Sequence, residues 1–228
     1  MATISTDTTL YPAFEPALQR AGWTVADLLD QLGDIPPQRV HLTPPPGTAT
    51  EKDVLEMNDH HHRLCELIDG TLVEKTMGYY EAWLAGEILR LLGNFVVPRD
   101  LGIVTGPDGF LRLFPDQVRA PDVTYIRRQQ LPEGRVPRDP IPALTPTLAV
   151  EVLSPSNSRR EMERKLREYF LAGTELVWYI EPPTRSATVY TSPDQPTEIG
   201  PDGVLKGGDV LAGFELPLRQ LFSGAENG

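Results

Sequence analysis

Two carboxylates stand out because of where the chain puts them. Glu151 interrupts TLAVEVL, an otherwise apolar and β-branched run of the kind found in strands covered on both faces. An ionised side chain in such a strand is costly unless it is paired or holds a metal. Leu148, Val150 and Val152 fill one face of the run, while Ala149 and Leu153 share the face of Glu151, so alternation alone does not carry the carboxylate to solvent. Asp122 opens a second strand, APDVTYI, directly after Pro121. Alone it reads as an Asp that caps a turn. If the two strands are adjacent, both carboxylates reach one end of the sheet, repel each other and favour a divalent cation between them. Mg²⁺ suits such a pair, since it takes few protein carboxylates and keeps waters for chemistry; Mn²⁺ is the alternative.

A cation from the protein could complete a hydrolytic site. Lys165 falls on a helix predicted to begin at Arg159, where Ser158-Arg159-Arg160-Glu161 forms a capping box. Met162, Leu166, Tyr169 and Gly173 make the packing stripe of that helix. Lys165 lies roughly 80° from the middle of the stripe, at the border of the buried face. A surface lysine paired with Glu161 fits the periodicity equally well. Arg159, Arg160, Arg164 and Arg167, extended by Arg127-Arg128, could touch phosphates, yet the interleaved Glu161, Glu163 and Glu168 also fit a solvated, ion-paired helix. Arg159 and Arg160 are retained as nucleic-acid-binding candidates. His60-His61-His62 reads as a solvated loop, because adjacent histidines on an extended chain point in alternating directions.

The elements that must position these groups follow from pattern. Thr24 as N-cap, an apolar stripe at Val25, Leu28, Leu29 and Leu32, and Gly33 as C-cap predict a short helix, followed by an extended arm rich in proline from Pro36 to Pro46. The globular core is expected from residue 51. CELIDGTLVEK predicts a hairpin turning at Asp69-Gly70. Trp83, Leu84, Ile88, Leu91 and Leu92 predict an amphipathic helix from Tyr79 to about Phe95. LGIVTG and GFLRLF read as two strands around Pro107-Asp108-Gly109, and ELVWYIE and SATVYTS as two more after the Lys165 helix. LPLRQLF reads as a short closing helix. Strands alternating with helices give an α/β class with a mixed central β-sheet flanked by helices.

Composition narrows the setting. The chain has 228 residues, 40% hydrophobic and 23% charged, ordinary values for one cored domain with elaborations. No apolar run approaches the roughly 18 residues of a membrane span. MATISTDTTLYPAFEP lacks a basic region followed by an apolar one, so no secretory signal is expected and the cytoplasm is the expected compartment. The single cysteine, Cys65, excludes an intramolecular disulfide and a cysteine zinc cluster, and reads as a small buried apolar residue. A formal charge of −11 opposes bulk attraction to nucleic acid, although bound divalent ions invert the local field.

Taken together, Pro121-Asp122, Glu151 in its apolar strand and a lysine on the next helix resemble the PD-(D/E)xK nuclease superfamily. More closely, CELIDGTLVEK, VRAPDVTYI, LAVEVLSPSN, ERKLREYFLAGTELVWYIEP and GDVLAGFELPLRQLF look like the Uma2 family of restriction-endonuclease-like proteins, over roughly residues 51 to 222. The resemblance implies a restriction-endonuclease-like core in which Asp122, Glu151 and the backbone carbonyl of Val152 bind the metal and Lys165 orients or activates water. It departs from the superfamily in one place: the usual lysine lies two residues after the Glu, where this chain has Leu153. It also implies a His or Glu on the first core helix, for which Glu81 is the best match, Glu87 a weaker one, and Glu66 on the hairpin weaker still. The expectation is an N-terminal helix and arm over 1–50, then a nuclease-like domain over 51–228. It would act as a Mg²⁺- or Mn²⁺-dependent endonuclease on DNA. A catalytically silent interaction module and an RNase using the same site remain the alternatives. A homodimer is expected from the arm and the acidic surface.

Overall fold

The computed structural model describes residues 22–224. The first part of the expected N-terminal segment, including MATISTDTTLYPAFEP, lies outside the described residues. The elements in chain order are helices α1 (Val25–Leu32) and α2 (Glu51–His61), then strands β1 (Cys65–Ile68) and β2 (Thr71–Glu74) and helix α3 (Tyr79–Val96). Strands β3 (Gly102–Thr105), β4 (Leu111–Phe114), β5 (Gln117–Arg119), β6 (Val123–Arg127) and β7 (Leu148–Val152) lead into α4 (Arg159–Leu171). Strands β8 (Leu176–Glu181), β9 (Ser186–Tyr190), β10 (Pro196–Ile199), β11 (Val204–Lys206) and β12 (Glu215–Pro217) precede the closing α5 (Leu218–Ser223).

The central sheet runs β10-β9-β8-β7-β6-β3 and is mixed: β7 and β8 are parallel, joined through α4, and the other neighbours are antiparallel. Both faces of β7 are covered, which is why its sequence is nearly all apolar. Val150 and Val152 pack with Leu84, Ile88 and Leu92 of α3 and with α5, while Ala149 packs with Met162, Leu166 and Tyr169 of α4. Glu151 therefore points to the α4 side. A second, antiparallel sheet, β2-β1-β5-β4, has its own small core. The β1–β2 turn is the expected Asp69-Gly70, both residues at positive φ as a two-residue hairpin requires.

The described part of the arm, residues 22–50, lies on the second sheet. Leu28, Leu32 and Ile35 bury against Ile68 and Val73. Thr24 caps α1 through a capping box with Asp27, and Gly33 ends it in the left-handed region at φ 90°. At Gly33 the chain also touches α4: a Cβ there would sit 2.8 Å from the backbone nitrogen of Glu161, and Ser158 Oγ donates to the Gly33 carbonyl. Gly33→Ala is expected to cost roughly 1–3 kcal/mol for the strained φ alone. Chemical denaturation would read this as a lower midpoint with an unchanged slope.

Two parts of the chain differ from the sequence expectation. Residues 51–61 form a helix, capped by Thr50 and Asp53, and the histidine triplet closes it instead of lying in a loop: His60 and His61 are in the last turn and His62 is the left-handed cap. All three are exposed. The two strands expected around Pro107 are both present, β3 joining β6 in the central sheet and β4 joining β5 in the second. The short strands β5, β10, β11 and β12 were not foreseen, being three or four residues long with little alternation. No described helix is long and apolar enough to cross a membrane.

Candidate active site

The β6–β7 pairing places the two carboxylates together. Thr124 pairs with Ala149 and Val123 with Val150, and continuing this antiparallel register sets Asp122 opposite Glu151. The ladder ends in a side chain: Asp122 Oδ2 accepts the Val152 N–H at 2.6 Å. Asp122 is 2% exposed and Glu151 4%. The other Asp122 oxygen, Oδ1, lies 2.7 Å from Lys75 Nζ, whose ammonium also donates to the Ala120 carbonyl.

Lys165 reaches this pair from α4. Its Nζ lies 3.0 Å from Glu151 Oε1 and 3.0 Å from Glu66 Oε1, the latter on β1. Tyr169, one turn further along α4, donates its hydroxyl to Glu151 Oε1. Glu66 accepts the Ala120 N–H at 3.0 Å and an Arg119 N–H at 2.7 Å. Arg119 in turn grips Glu168 of α4. Glu161, the surface partner that periodicity allowed for Lys165, instead binds Arg39 at 2.8 and 2.9 Å.

A sequence profile of the Uma2 family, described as "Putative restriction endonuclease", matches residues 52–219. This chain belongs to the Uma2 family. Its fold is also that of a crystal structure from Anabaena variabilis ATCC 29413, titled a "putative nuclease belonging to DUF820". That similarity has a TM-score of 0.64 at 20% identity, covering 71% of this chain and 91% of the other. No curated protein matches. The Uma2 match contains Glu66, Lys75, Asp122, Glu151 and Lys165, whereas α1 and Gly33 precede it.

Within this Uma2 chain the electrostatics of the cluster are uneven. Burial pushes the Glu151 carboxyl above its usual range, and Asp122 and Glu66 push the same way against Lys165 and Lys75. Burial acts on Glu66 likewise, but Lys165, Arg119 and Lys75 outweigh it and hold Glu66 well below the usual carboxylate range. Burial would lower Lys165, yet Glu151 and Glu66 hold it above the ordinary lysine value, so it is charged. Cys65 is buried as expected, its thiol pushed up to about 12 chiefly by burial.

Three carboxylates, Glu66, Asp122 and Glu151, thus face two ammoniums, Lys75 and Lys165. Arg119 bridges Glu66 and Glu168, and Arg164 also pairs with Glu168, so the four nearby cations match the four carboxylates, and a divalent ion would have to displace a resident cation. Asp122 Oδ1 is buried and makes no hydrogen bond beyond its ion pair. Both contacts to Glu151 fall on Oε1. Among the described residues no group of three His, Cys, Asp or Glu side chains is arranged around a metal position. Two hard-oxygen carboxylates still fit Mg²⁺, which keeps several waters and needs few protein ligands.

Among the described residues the remaining candidates make no hydrogen bond or ion pair with Asp122 or Glu151. Glu81, in the first turn of α3, is half-buried and has no hydrogen bond or ion pair among the described residues. It lines a shallow depression with Thr76, Gly78, Ser154 and Ser156, and Thr76 and Ser156 share a hydroxyl contact of 2.6 Å across it. Glu87 pairs with Arg90 on the surface. Arg159 is paired with Glu163 at 2.7 Å, and Arg160 with Asp30 and Asp34, tying α4 to α1. Leu153 packs beside α4, and the ammoniums that meet the two carboxylates are those of Lys165 and of Lys75, which sequence reading passed over. The signal for Lys75 was present only as a lone charge ending the second hairpin strand.

Proposed function

We propose that this Uma2 protein is a metal-dependent endonuclease hydrolysing phosphodiester bonds of DNA, with Asp122 and Glu151 at its catalytic centre. The observation carrying the reading is the register that sets Asp122 opposite Glu151, both buried and each facing a lysine ammonium. Asp122, Glu151 and the Val152 carbonyl are the groups that would hold Mg²⁺ or Mn²⁺, which when bound supplies Lewis-acid stabilisation of the phosphoryl oxygens and a more acidic water. In the reaction a water oxygen bonds to phosphorus as one P–O ester bond breaks. One water proton ends on the leaving oxygen, leaving a hydroxyl end and a phosphate monoester.

Lys165, 3.0 Å from Glu151, is positioned to orient the attacking water or to offset charge developing on the phosphate. Glu81, on the rim and without a partner of its own, completes the shell. Arg159 and Arg160 contact the DNA backbone by exchanging their carboxylate partners for phosphates. The family description favours DNA as substrate. The net charge of −11 means that affinity must come from the bound ion and local contacts instead of a basic surface. The reading includes a cytoplasmic location and a homodimer, the latter checked by sedimentation, where a single-chain mass would remove it.

The test is incubation with circular DNA, linear DNA and an RNA of matching sequence, each with Mg²⁺, Mn²⁺ or EDTA. Metal-dependent nicking and linearisation of circular DNA is the expected result. Cleavage of RNA alone would move the same site to an RNase. No cleavage of either by folded protein would favour a silent interaction module.

A further inference from the structure

Lys75 is a buried cation whose part in the site is not explained by either carboxylate ligand. It follows the last residue of β2, with its side chain only 8% exposed, and its ammonium sits 2.7 Å from Asp122 Oδ1. Asp122 Oδ2 is committed to the Val152 N–H, so Oδ1 is the oxygen of Asp122 that can exchange partners. Lys75 thus occupies the oxygen of Asp122 that has no other hydrogen-bond donor and is most open to another cation. Its neighbour in sequence, Thr76, lines the open depression with Glu81 and Ser154.

The two lysines are held differently. Lys165 is gripped by Glu66 and Glu151 at 3.0 Å each, from the packed face of α4. Lys75 ion-pairs with one carboxylate and bonds one backbone carbonyl, its charge acting on Glu66 and Glu151 from further off, and its stem springs from a strand end leading into a loop. A four-carbon stem with a single carboxylate partner can swing, whereas a lysine bridging two buried carboxylates cannot move without leaving both unpaired.

Resting on the proposed function, we infer that Lys75 is an exchangeable internal cation. It neutralises Asp122 in the metal-free protein, yields Oδ1 when a divalent ion binds, and then turns toward the depression to meet a phosphate oxygen of the substrate. This supplies, from the end of β2, a second substrate-facing ammonium that Leu153 cannot provide, beside Lys165, which Glu151 and Glu66 hold in place.

The test is Mn²⁺ affinity, read from the free-ion EPR signal, for wild type, Lys75→Gln, Lys75→Arg and Asp122→Asn, with DNA cleavage measured alongside. Lys75→Gln is expected to bind Mn²⁺ at least fivefold more tightly than wild type, yet to cleave at least tenfold more slowly at saturating Mn²⁺. Lys75→Arg keeps the competing charge and is expected to stay near wild-type affinity. A merely structural lysine would not give tighter binding on removal. Unchanged or weaker Mn²⁺ binding by Lys75→Gln, or equal tightening by Lys75→Arg, would overturn the inference while leaving the metal site standing. An absence of Mn²⁺ binding sensitive to Asp122→Asn in wild type and Lys75→Gln alike would overturn the metal reading, and this inference with it.

Discussion

Asp122→Asn is expected to lower metal-dependent DNA cleavage by about a thousandfold. The estimate treats the loss as roughly 4 kcal/mol of transition-state stabilisation, within what a Lewis-acid metal supplies, at 1.36 kcal/mol per tenfold. The substitution is nearly isosteric, and its amide oxygen can still accept the Val152 N–H that closes the β6–β7 ladder. What it removes is the charge on the oxygen facing Lys75, and with the amide oxygen on the Val152 N–H it sets an amide donor in that oxygen's place. Metal affinity should fall together with rate. Asp108→Asn, at an exposed loop position, is the matched control and should cleave like wild type. Cleavage by Asp122→Asn within about threefold of wild type would remove Asp122 from the ligand set, since no ligand loss is that mild. Retained Mn²⁺ binding with lost cleavage would instead make Asp122 an orienting group.

Much of this centre could be read from the chain because its carboxylates break local rules. Glu151 was conspicuous in a strand covered on both faces, and the structure accounts for that cover with α3 on one side and α4 on the other. Asp122 gained meaning only if its strand lay beside β7, and the register bears that adjacency out. Periodicity placed Lys165 at the edge of a buried face but could not choose its partner. Glu66 was only a weak site candidate in the sequence, and its pairing with Lys165 was available only through the fold, because β1 belongs to a different sheet from β7.

What stayed hidden is what depends on pairing distant in sequence. Arg119 sits on a three-residue strand that meets β1 through Leu67–Val118, and so short a strand has no period to detect. Helix α2 buries only Val54, so its amphipathic signal is weak despite its capping box. Lys75 sat in plain view at the end of a correctly read hairpin, but nothing local says that its ammonium meets a carboxylate 47 positions on. Local pattern located the acids; the tertiary fold assigned their counter-charges.

Those counter-charges are where the second large effect is expected, in stability. Arg119 is 1% exposed, and its guanidinium joins Glu66 of the second sheet to Glu168 of α4. Arg119→Met fills similar space but strands two buried carboxylates with fewer partners, and a loss of about 3–5 kcal/mol is expected in urea denaturation at neutral pH. Glu66 would keep Lys165 and the Ala120 N–H, and Glu168 would keep Gln117 and Arg164, which is why complete unfolding is not expected. The pH dependence carries a sign. A carboxylate held below its unfolded value contributes stability above that value and loses it as pH falls through the folded one. Without Arg119 that depression shrinks, so the gap between wild type and variant should be full at neutral pH and narrow below about pH 4.3, the ordinary Glu value. Arg119→Lys keeps the charge but loses the fork that serves two acids, and should fall between them. A loss under about 1 kcal/mol with an unchanged pH profile would mean the triad is not under load. Because Glu66 is one of the two anchors of Lys165, the Arg119→Met protein should also cleave more slowly at full metal occupancy, the route by which a buried ion pair outside the metal pair governs the chemistry.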